Sequence, residues 1–148
     1  MDNHVMLRPG MRLHFIGVGG IGMSGLAKIC LEQGYPVSGC DAKVNGLSHH
    51  LRERGADIRL RHHPSHLQGD VDLVVYSSAI SMGEPELQEA RRRAIPLMSR
   101  GELLAALSAP KRLIAVAGAH GKTTTSAMAA QVLVEAGWDP TVAVGGMM

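Results

Sequence analysis

Two glycine-rich turns carry the residues of this sequence that could bind phosphate. The first is GVGGIG at residues 17–22, and it matches the GxGxxG pattern that places backbone amides around a diphosphate. In that pattern the first glycine permits a tight turn, the second lets phosphate approach the backbone, and the third lets the following helix lie close to the strand. Asp41 follows about twenty residues later, where a carboxylate can accept hydrogen bonds from a ribose or a base. The spacing predicts a site for a dinucleotide or a nucleoside diphosphate.

The second turn is GAHGKTTT at residues 118–125, which is a shortened P-loop. The standard pattern has four residues between its first glycine and the GK pair, but here Val116 stands at that first position and Gly118 has only two residues between. The physical parts are still present. Lys122 supplies a positive charge for the terminal phosphates, and Thr123 supplies a hydroxyl for a magnesium ion. The turn therefore predicts an ATP site.

The elements that must position the first turn alternate between strand and helix. Short apolar runs that lead into glycines or polar loops are typical of buried strands, and helical spacing of apolar residues lies between them. This alternation predicts an α/β fold, a Rossmann-like parallel sheet with right-handed crossovers. The predicted strands are 12–18, 36–41, 56–60, 71–77 and 95–98, and the predicted helices are 20–34, 46–54, 84–94 and 99–109.

A second domain is predicted to begin after residue 109, because Pro110 and Lys111 interrupt the pattern. A strand at 112–118, a helix at 121–136 and the beginning of another strand at 141–146 are expected there. The predicted domains are therefore 1–109, a Rossmann-like domain, and 110–148, the truncated start of a P-loop ATP-binding domain. About forty residues are too few to bury a core alone.

Composition argues against several classes of function. A formal net charge of +2 does not indicate the strongly basic face that binds nucleic acid. No apolar run approaches the ~20 residues that are needed to span a bilayer. The first ten residues lack the apolar core of a signal peptide. Cys30 and Cys40 form no CxxC pair, which is typical of a reducing cytoplasm. We therefore expect a cytoplasmic protein that binds neither nucleic acid nor membrane.

Five histidines fall in one polar region. A metal site is the less favoured interpretation, because no carboxylate or cysteine stands at regular ligand spacing from them. They are His49, His50, His62, His63 and His66.

The presence of both turns in one chain separates the possible functions. An NAD-dependent oxidoreductase needs the first turn and has no use for the second, and a simple P-loop ATPase needs only the second. An ATP-dependent enzyme that acts on a nucleotide-carried substrate needs both. A non-catalytic module that binds a UDP-sugar is a further alternative.

Four segments of the chain resemble the corresponding segments of Mur ligases. These are HFIGVGGIGMSGLA, VSGCD, SSAIS and AGAHGKTTT, and the resemblance runs from about residue 11 to the end. The histidine of GAHGKTTT resembles the alanine-adding branch of the family, and the tripeptide-recycling ligases are the nearest rival. The GVGGIGMSG turn favours the alanine-adding branch.

The resemblance implies that the first domain binds the UDP part of UDP-N-acetylmuramic acid. The glycine turn would hold the diphosphate, Asp41 would lie near the uridine, and the loop after the best strand would line the same crevice. His62 stands where the family usually has a Gly-His pair, although Arg61 replaces the glycine, and Arg100 matches a basic residue at the start of the interdomain helix. The residues implied for this site are Gly17, Gly19, Gly20, Ile21, Gly22, Asp41, His62, Ser77, Ser78 and Ala79.

The resemblance also implies a reaction, with ATP and Mg²⁺ as cofactors and UDP-N-acetylmuramic acid and L-alanine as substrates. The lactyl carboxylate would be phosphorylated to an acyl phosphate, which the amine of L-alanine attacks. Lys122 and Thr123 would be the catalytic residues, the first on the transferring phosphoryl group and the second on magnesium. We expect the 148-residue chain alone to be inactive. The residues implied for ATP are Gly118, Ala119, His120, Gly121, Lys122, Thr123 and Thr124.

Overall fold

The computed structural model describes residues 5–145, and its centre is a sheet of five parallel strands. The spatial order is β3-β2-β1-β4-β5. This arrangement confirms the predicted Rossmann-like α/β fold. The strands are β1 (Leu13–Ile16), β2 (Val37–Asp41), β3 (Asp57–Leu60), β4 (Leu73–Tyr76) and β5 (Leu97–Ser99).

The central strand β1 and its neighbour β4 are apolar because helices cover both faces of the sheet. All four residues of β1 are buried, and β4 is buried from Leu73 to Val75. The chain runs outward from β1 through β2 to β3 and then returns to β4. The strand order therefore reverses between β1 and β4, and open α/β sheets bind their ligands in the crevice at such a point.

Four helices accompany this sheet, in two layers. In one layer α1 contacts both α2 and α4, while a 3-10 turn at Pro64–Leu67 contacts α3. Within residues 5–145, no helix has the length and apolar character needed to cross a membrane. The helices are α1 (Ile21–Glu32), α2 (Gly46–Glu53), α3 (Pro85–Arg92) and α4 (Arg100–Ser108).

Alternation along the strands divides the core between the two faces. Phe15 of β1 lies in one apolar cluster with Leu26 of α1 and Leu103 of α4. Ile16, the next residue, lies in a second cluster with Leu87 of α3. Successive side chains of a strand point to opposite faces, so the two clusters are the two sides of one sheet.

Residues 110–145 contain no strand, and the prediction of strands at 112–118 and 141–146 is wrong for the residues that the structure describes. Residue 146 lies outside them. A strand needs a neighbour to receive its backbone hydrogen bonds, and this part of the chain brings none beside residues 112–118. Leu113 and Ile114 accordingly stay exposed, at 67% and 66%.

The predicted helix at 121–136 is confirmed as α5 (Lys122–Glu135). No residue of α5 is buried, and Met128 and Val132 are exposed on it. After its end, the ring of Trp138 lies 5.7 Å from the guanidinium carbon of Arg112. The domain boundary near residue 109 stays a prediction.

Candidate functional site

The first glycine turn lies between the end of β1 and the start of α1. Gly17 has a φ of 79°, a left-handed conformation that glycine adopts without a steric cost. The amides of Gly17 and Val18 donate to the carbonyl of Cys40, at 2.9 and 3.1 Å. The turn is thereby held at the carboxyl edge of the sheet, beside the end of β2.

Asp41 and Asn45 hold the middle of this turn. Oδ2 of Asp41 accepts a hydrogen bond from the Gly19 amide at 2.8 Å, and Nδ2 of Asn45 donates to the Gly19 carbonyl at 2.9 Å. A Cβ on Gly19 would lie 2.9 Å from that same carboxylate oxygen. Glycine is required here because two side chains already fill the space.

The loop after β4 lies against the same turn. A Cβ on Gly17 would stand 3.3 Å from Cδ1 of Ile80, so the two loops are in contact. Within the loop, Oγ of Ser77 accepts a hydrogen bond from the Ala79 amide at 3.1 Å, while Ser78 is exposed. The structure thus brings the predicted residues of the two loops together at the point where the strand order reverses.

Arg100 reaches the glycine turn from the start of α4. Its Nη1 lies 3.1 Å from the position of a Cβ on Gly22. Among residues 5–145, no carboxylate forms an ion pair with this guanidinium. The sequence suggested Arg100 only through a resemblance, whereas the structure places its charge beside the predicted diphosphate site.

The helices that follow the two glycine turns differ from the other three in how they begin. Side chains of Asn45, Glu84 and Ser99 cap α2, α3 and α4. Among residues 5–145, no side chain caps α1 or α5. The first amides of a helix need acceptors, and a phosphate group can supply them.

His62 lies after β3, in a turn that Arg61 opens. Arg61 has a φ of 66°, which is the left-handed conformation that a glycine would adopt more easily. Nδ1 of His62 lies 3.0 Å from Sγ of Cys40. His62 therefore contacts a residue from the end of β2, the strand that also carries Asp41.

A buried polar cluster lies next to His62, and sequence reasoning missed most of it. The carboxylate of Glu86 in α3 is fully buried and is bonded by His14 Nε2 at 2.9 Å, the Cys40 thiol at 3.1 Å, and His66 Nδ1 at 2.6 Å. The amide of His63 also donates to it at 2.8 Å. These residues are scattered between positions 14 and 86, so no local spacing could have indicated the cluster.

The cluster changes the acidity of its members. Burial alone would raise the pKa of Glu86, but the hydrogen bonds from His14 and the His63 amide outweigh it and lower that pKa to about 2. Burial, reinforced by the Glu86 charge, raises the pKa of the Cys40 thiol well above its usual range. The carboxylate is therefore ionised and the thiol is protonated at neutral pH.

The second glycine turn is exposed and compact. Gly118 and Gly121 have φ values of 154° and 77°, and α5 begins at Lys122. Nζ of Lys122 donates to the carbonyl of Gly118 and lies over the loop. A depression of about 330 Å³ lies on the surface here, lined by residues 119–124.

The residues around this depression fit a triphosphate and its cation. Lys122 brings the positive charge, the uncapped start of α5 brings backbone amides, and Thr123 brings a hydroxyl oxygen of the hard type that magnesium prefers. The sequence prediction of an ATP site at this turn also depends on the charge of Lys122 and the hydroxyl of Thr123. The structure places six of the seven predicted residues, 119–124, around one depression, and Gly118 directly precedes them.

The chain matches one protein family over most of its length. The match is to the Mur ligase family, catalytic domain, and it covers residues 12–112.

Two curated relatives are named UDP-N-acetylmuramate–L-alanine ligase. The protein from Aquifex aeolicus is 53% identical over 97% of this chain, and the one from Carboxydothermus hydrogenoformans is 53% identical over 95%. The chain spans 32% and 30% of their lengths, about a third of each relative.

Two solved structures share the fold with considerable sequence identity. One is the UDP-N-acetylmuramate-alanine ligase MurC of Thermotoga maritima, with a TM-score of 0.85 and 36% identity over 93% of this chain and 32% of that one. The other is a murein peptide ligase from Psychrobacter arcticus, with a TM-score of 0.81 and 35% identity over 86% of this chain and 27% of that one.

Proposed function

Because the chain belongs to the Mur ligase family, we propose that it is the nucleotide-binding part of a UDP-N-acetylmuramate–L-alanine ligase. The observation that carries this proposal is the pair of glycine turns, each of which leads into a helix that no side chain of the described residues caps. Relatives with the L-alanine ligase name match the chain over at least nine-tenths of its length, both turns included.

The first turn binds the diphosphate of UDP-N-acetylmuramic acid on this proposal. The amides at the start of α1 donate to it, and the helix dipole adds to their attraction. Arg100 supplies a full positive charge beside Gly22. Asp41 keeps the turn in shape through its bond to the Gly19 amide, and Ser77, Ser78, Ala79 and His62 complete the edge of the crevice.

The second turn binds ATP. Lys122 stabilises the negative charge that develops on the transferring phosphoryl group, and Thr123 holds magnesium. Magnesium, when bound, neutralises charge on the β- and γ-phosphates. The lactyl carboxylate accepts the γ-phosphoryl group of ATP to give an acyl phosphate, and ADP leaves. The amine of the incoming amino acid then attacks the acyl carbon, and inorganic phosphate leaves.

A murein peptide ligase is the second candidate, because such a protein shares the fold at a TM-score of 0.81. The two ligases differ in their amine, which is L-alanine in one and a tripeptide in the other. The L-alanine ligase is favoured by the 53% identity of its relatives. The two cysteines are buried and unpaired, which is typical of the reducing cytoplasm where we place the reaction.

The test is an assay of the complete enzyme with UDP-N-acetylmuramic acid, ATP and magnesium, with either L-alanine or L-alanyl-γ-D-glutamyl-meso-diaminopimelate as the amine. We expect ADP and the UDP-N-acetylmuramoyl-L-alanine product, detected by mass spectrometry, with L-alanine alone. Product formed only with the tripeptide would select the peptide ligase. If no ADP is released with either L-alanine or the tripeptide, both assignments are contradicted.

A further inference from the structure

Four side chains from four elements converge in the buried cluster on the α3 face of the sheet. His14 comes from β1, Cys40 from β2, His66 from the 3-10 turn and Glu86 from α3. One ligand atom from each lies within 4.8 Å of every other. His14, Cys40 and Glu86 are fully buried, and the His66 side chain is 9% exposed. The donors are two imidazoles, a thiol and a carboxylate.

In the part of the chain that the structure describes, no lysine or arginine pairs with the buried carboxylates of this region. Glu84 is also buried, and its Oε2 accepts hydrogen bonds from the Glu86 and Leu87 amides. Among residues 5–145, its Oε1 has no hydrogen-bond partner. Its charge acts on Cys40 and adds to that of Glu86 in raising the pKa of the thiol. Within residues 5–145, the only ion-pair partners of Glu86 are His14 and His66, and Glu84 has none. Two buried carboxylates without a lysine or arginine favour a bound cation.

Two residues outside the four donors make contacts that orient His14 and Cys40. Nδ1 of His14 is bonded to Oγ of Ser38 at 2.8 Å, which leaves Nε2 directed toward Glu86. Nδ1 of His62 lies 3.0 Å from the Cys40 sulfur. Metal-binding histidines usually donate their second ring nitrogen to an outer partner, and thiolate ligands are commonly hydrogen-bonded. The cluster already has both kinds of support.

We propose that His14 Nε2, Cys40 Sγ, His66 Nδ1 and one oxygen of Glu86 form a structural site for a zinc ion. Zinc favours four ligands of this kind in a tetrahedron, with bonds of about 2.0 to 2.3 Å that separate neighbouring donors by about 3.3 to 3.8 Å. Glu86 oxygens lie 2.9 Å from His14 Nε2, 3.1 Å from Cys40 Sγ and 2.6 Å from His66 Nδ1, so these donors must move apart by roughly 0.2 to 1 Å to admit the ion. A softer donor set than this would favour copper(I), and an all-oxygen set would favour magnesium.

Zinc binding at this site releases one proton. Without metal, His14 Nε2 and His66 Nδ1 carry the protons that they donate to the ionised Glu86 carboxylate. When zinc binds, each neutral imidazole changes tautomer, so that the proton of His14 moves to Nδ1, where Ser38 accepts it, and that of His66 moves to Nε2. The Cys40 thiol loses its proton to solvent. All four positions around the metal are filled by protein, which is typical of structural and not catalytic zinc. The ion would tie β1, β2, the 3-10 turn and α3 together, and would fix the turn that carries His62.

The experiment uses the untagged chain, purified without chelator and then titrated with zinc or cobalt(II) against a chromophoric chelator. We expect one zinc per chain by elemental analysis and a rise in Tm of about 5 to 10 °C at a hundredfold excess over Kd. Cobalt should give visible d–d bands of tetrahedral type and a thiolate-to-cobalt charge-transfer band. Cys40→Ser should remove the charge-transfer band and weaken zinc binding at least tenfold.

Cys30→Ser is the matched control, because Cys30 is equally buried and belongs to the core cluster on the other face of the sheet. It should bind cobalt and zinc as the unchanged chain does. No zinc at one equivalent, an octahedral cobalt spectrum, or a charge-transfer band that survives in Cys40→Ser would each overturn the proposal. If Cys40→Ser fails to fold, the cobalt spectrum of the unchanged chain decides. None of these readouts depends on UDP-sugar or ATP binding.

Discussion

The Asp41 carboxylate accepts a hydrogen bond from the Gly19 amide at 2.8 Å, so the end of β2 holds the glycine turn that follows β1. In a dinucleotide-binding protein, a carboxylate at this position is expected to bond the ribose. Here one of its oxygens already serves the turn, and the other lies 3.3 Å from the Lys43 amide. Asp41 therefore shapes the turn before any nucleotide binds.

Gly19→Ala should destabilise the chain by about 1 to 3 kcal/mol, because the new methyl group would overlap Asp41 and Asn45. Gly25→Ala is the control, since Gly25 lies in α1 with open space around it and alanine should there be neutral or stabilising by up to about 1 kcal/mol. Urea denaturation measures both. Equal stability of the two variants would contradict the contact between Asp41 and the turn.

Arg100→Ala should weaken UDP-N-acetylmuramic acid binding by about tenfold or more, because it removes a charged donor beside the diphosphate. Arg54→Ala is the control, as that guanidinium pairs with Glu32 at 3.2 Å on the helical surface. Calorimetric titration gives both dissociation constants. If the two variants bind the UDP-sugar equally well, Arg100 has no part in the site.

At position 61, substitution by glycine should leave the stability nearly unchanged, and substitution by valine should lower it. Its φ of 66° costs a non-glycine residue roughly 1 kcal/mol, so relief of strain in Arg61→Gly offsets the added freedom of the unfolded chain. Arg61→Val should lower the melting temperature clearly, because a β-branched residue fits this conformation poorly. A valine variant as stable as the glycine variant would argue against a left-handed Arg61.

Lys122→Met should reduce ATP binding at least tenfold and leave the UDP-sugar affinity unchanged, because the ammonium group serves only the second turn. Lys111→Met removes an exposed charge close to the same segment and should change neither affinity. A fluorescent ATP analogue reports the binding. ATP affinity that is lost equally in both variants would indicate a general charge effect.

The buried thiol of Cys30 should make the free energy of unfolding decrease in alkaline solution. Burial raises its pKa from 9.0 to about 12, so the folded chain keeps a thiol proton that the unfolded chain gives up. The stability from this group is complete below pH 9 and is lost as the pH rises toward 12. Cys30→Ala should flatten the decline of unfolding free energy between those values by about 1 kcal/mol per pH unit. An unchanged slope would show that the thiol is accessible to water.

The fold of the first hundred residues was predictable from sequence because the most buried strands of the sheet, β1 and β4, are local apolar runs. LHFI and LVVY read as buried strands, and the glycine turn after β1 marks the start of α1. The strand predicted at 112–118 has the same apolar character, yet it forms no ladder. Strand formation depends on a neighbour, and nothing in RLIAVAG itself reveals whether one is present.

The site was predictable only where its chemistry is contiguous in sequence. Both glycine turns were found from spacing alone. The position of Arg100 beside Gly22 and the convergence of His14 with Glu86 depend on β-strand order and on the placement of α3 and α4. His14 and Glu86 are 72 positions apart in the sequence and meet only because of the fold, so no local sequence pattern indicates their contact.

The measurement that bears most directly on the proposed function is a calorimetric titration of this chain with UDP-N-acetylmuramic acid and, separately, with NAD. We expect one UDP-sugar to bind per chain, more weakly in Arg100→Ala, and no binding of NAD. Binding of NAD without binding of the UDP-sugar would contradict the proposed function and would show that the first glycine turn is a dinucleotide site.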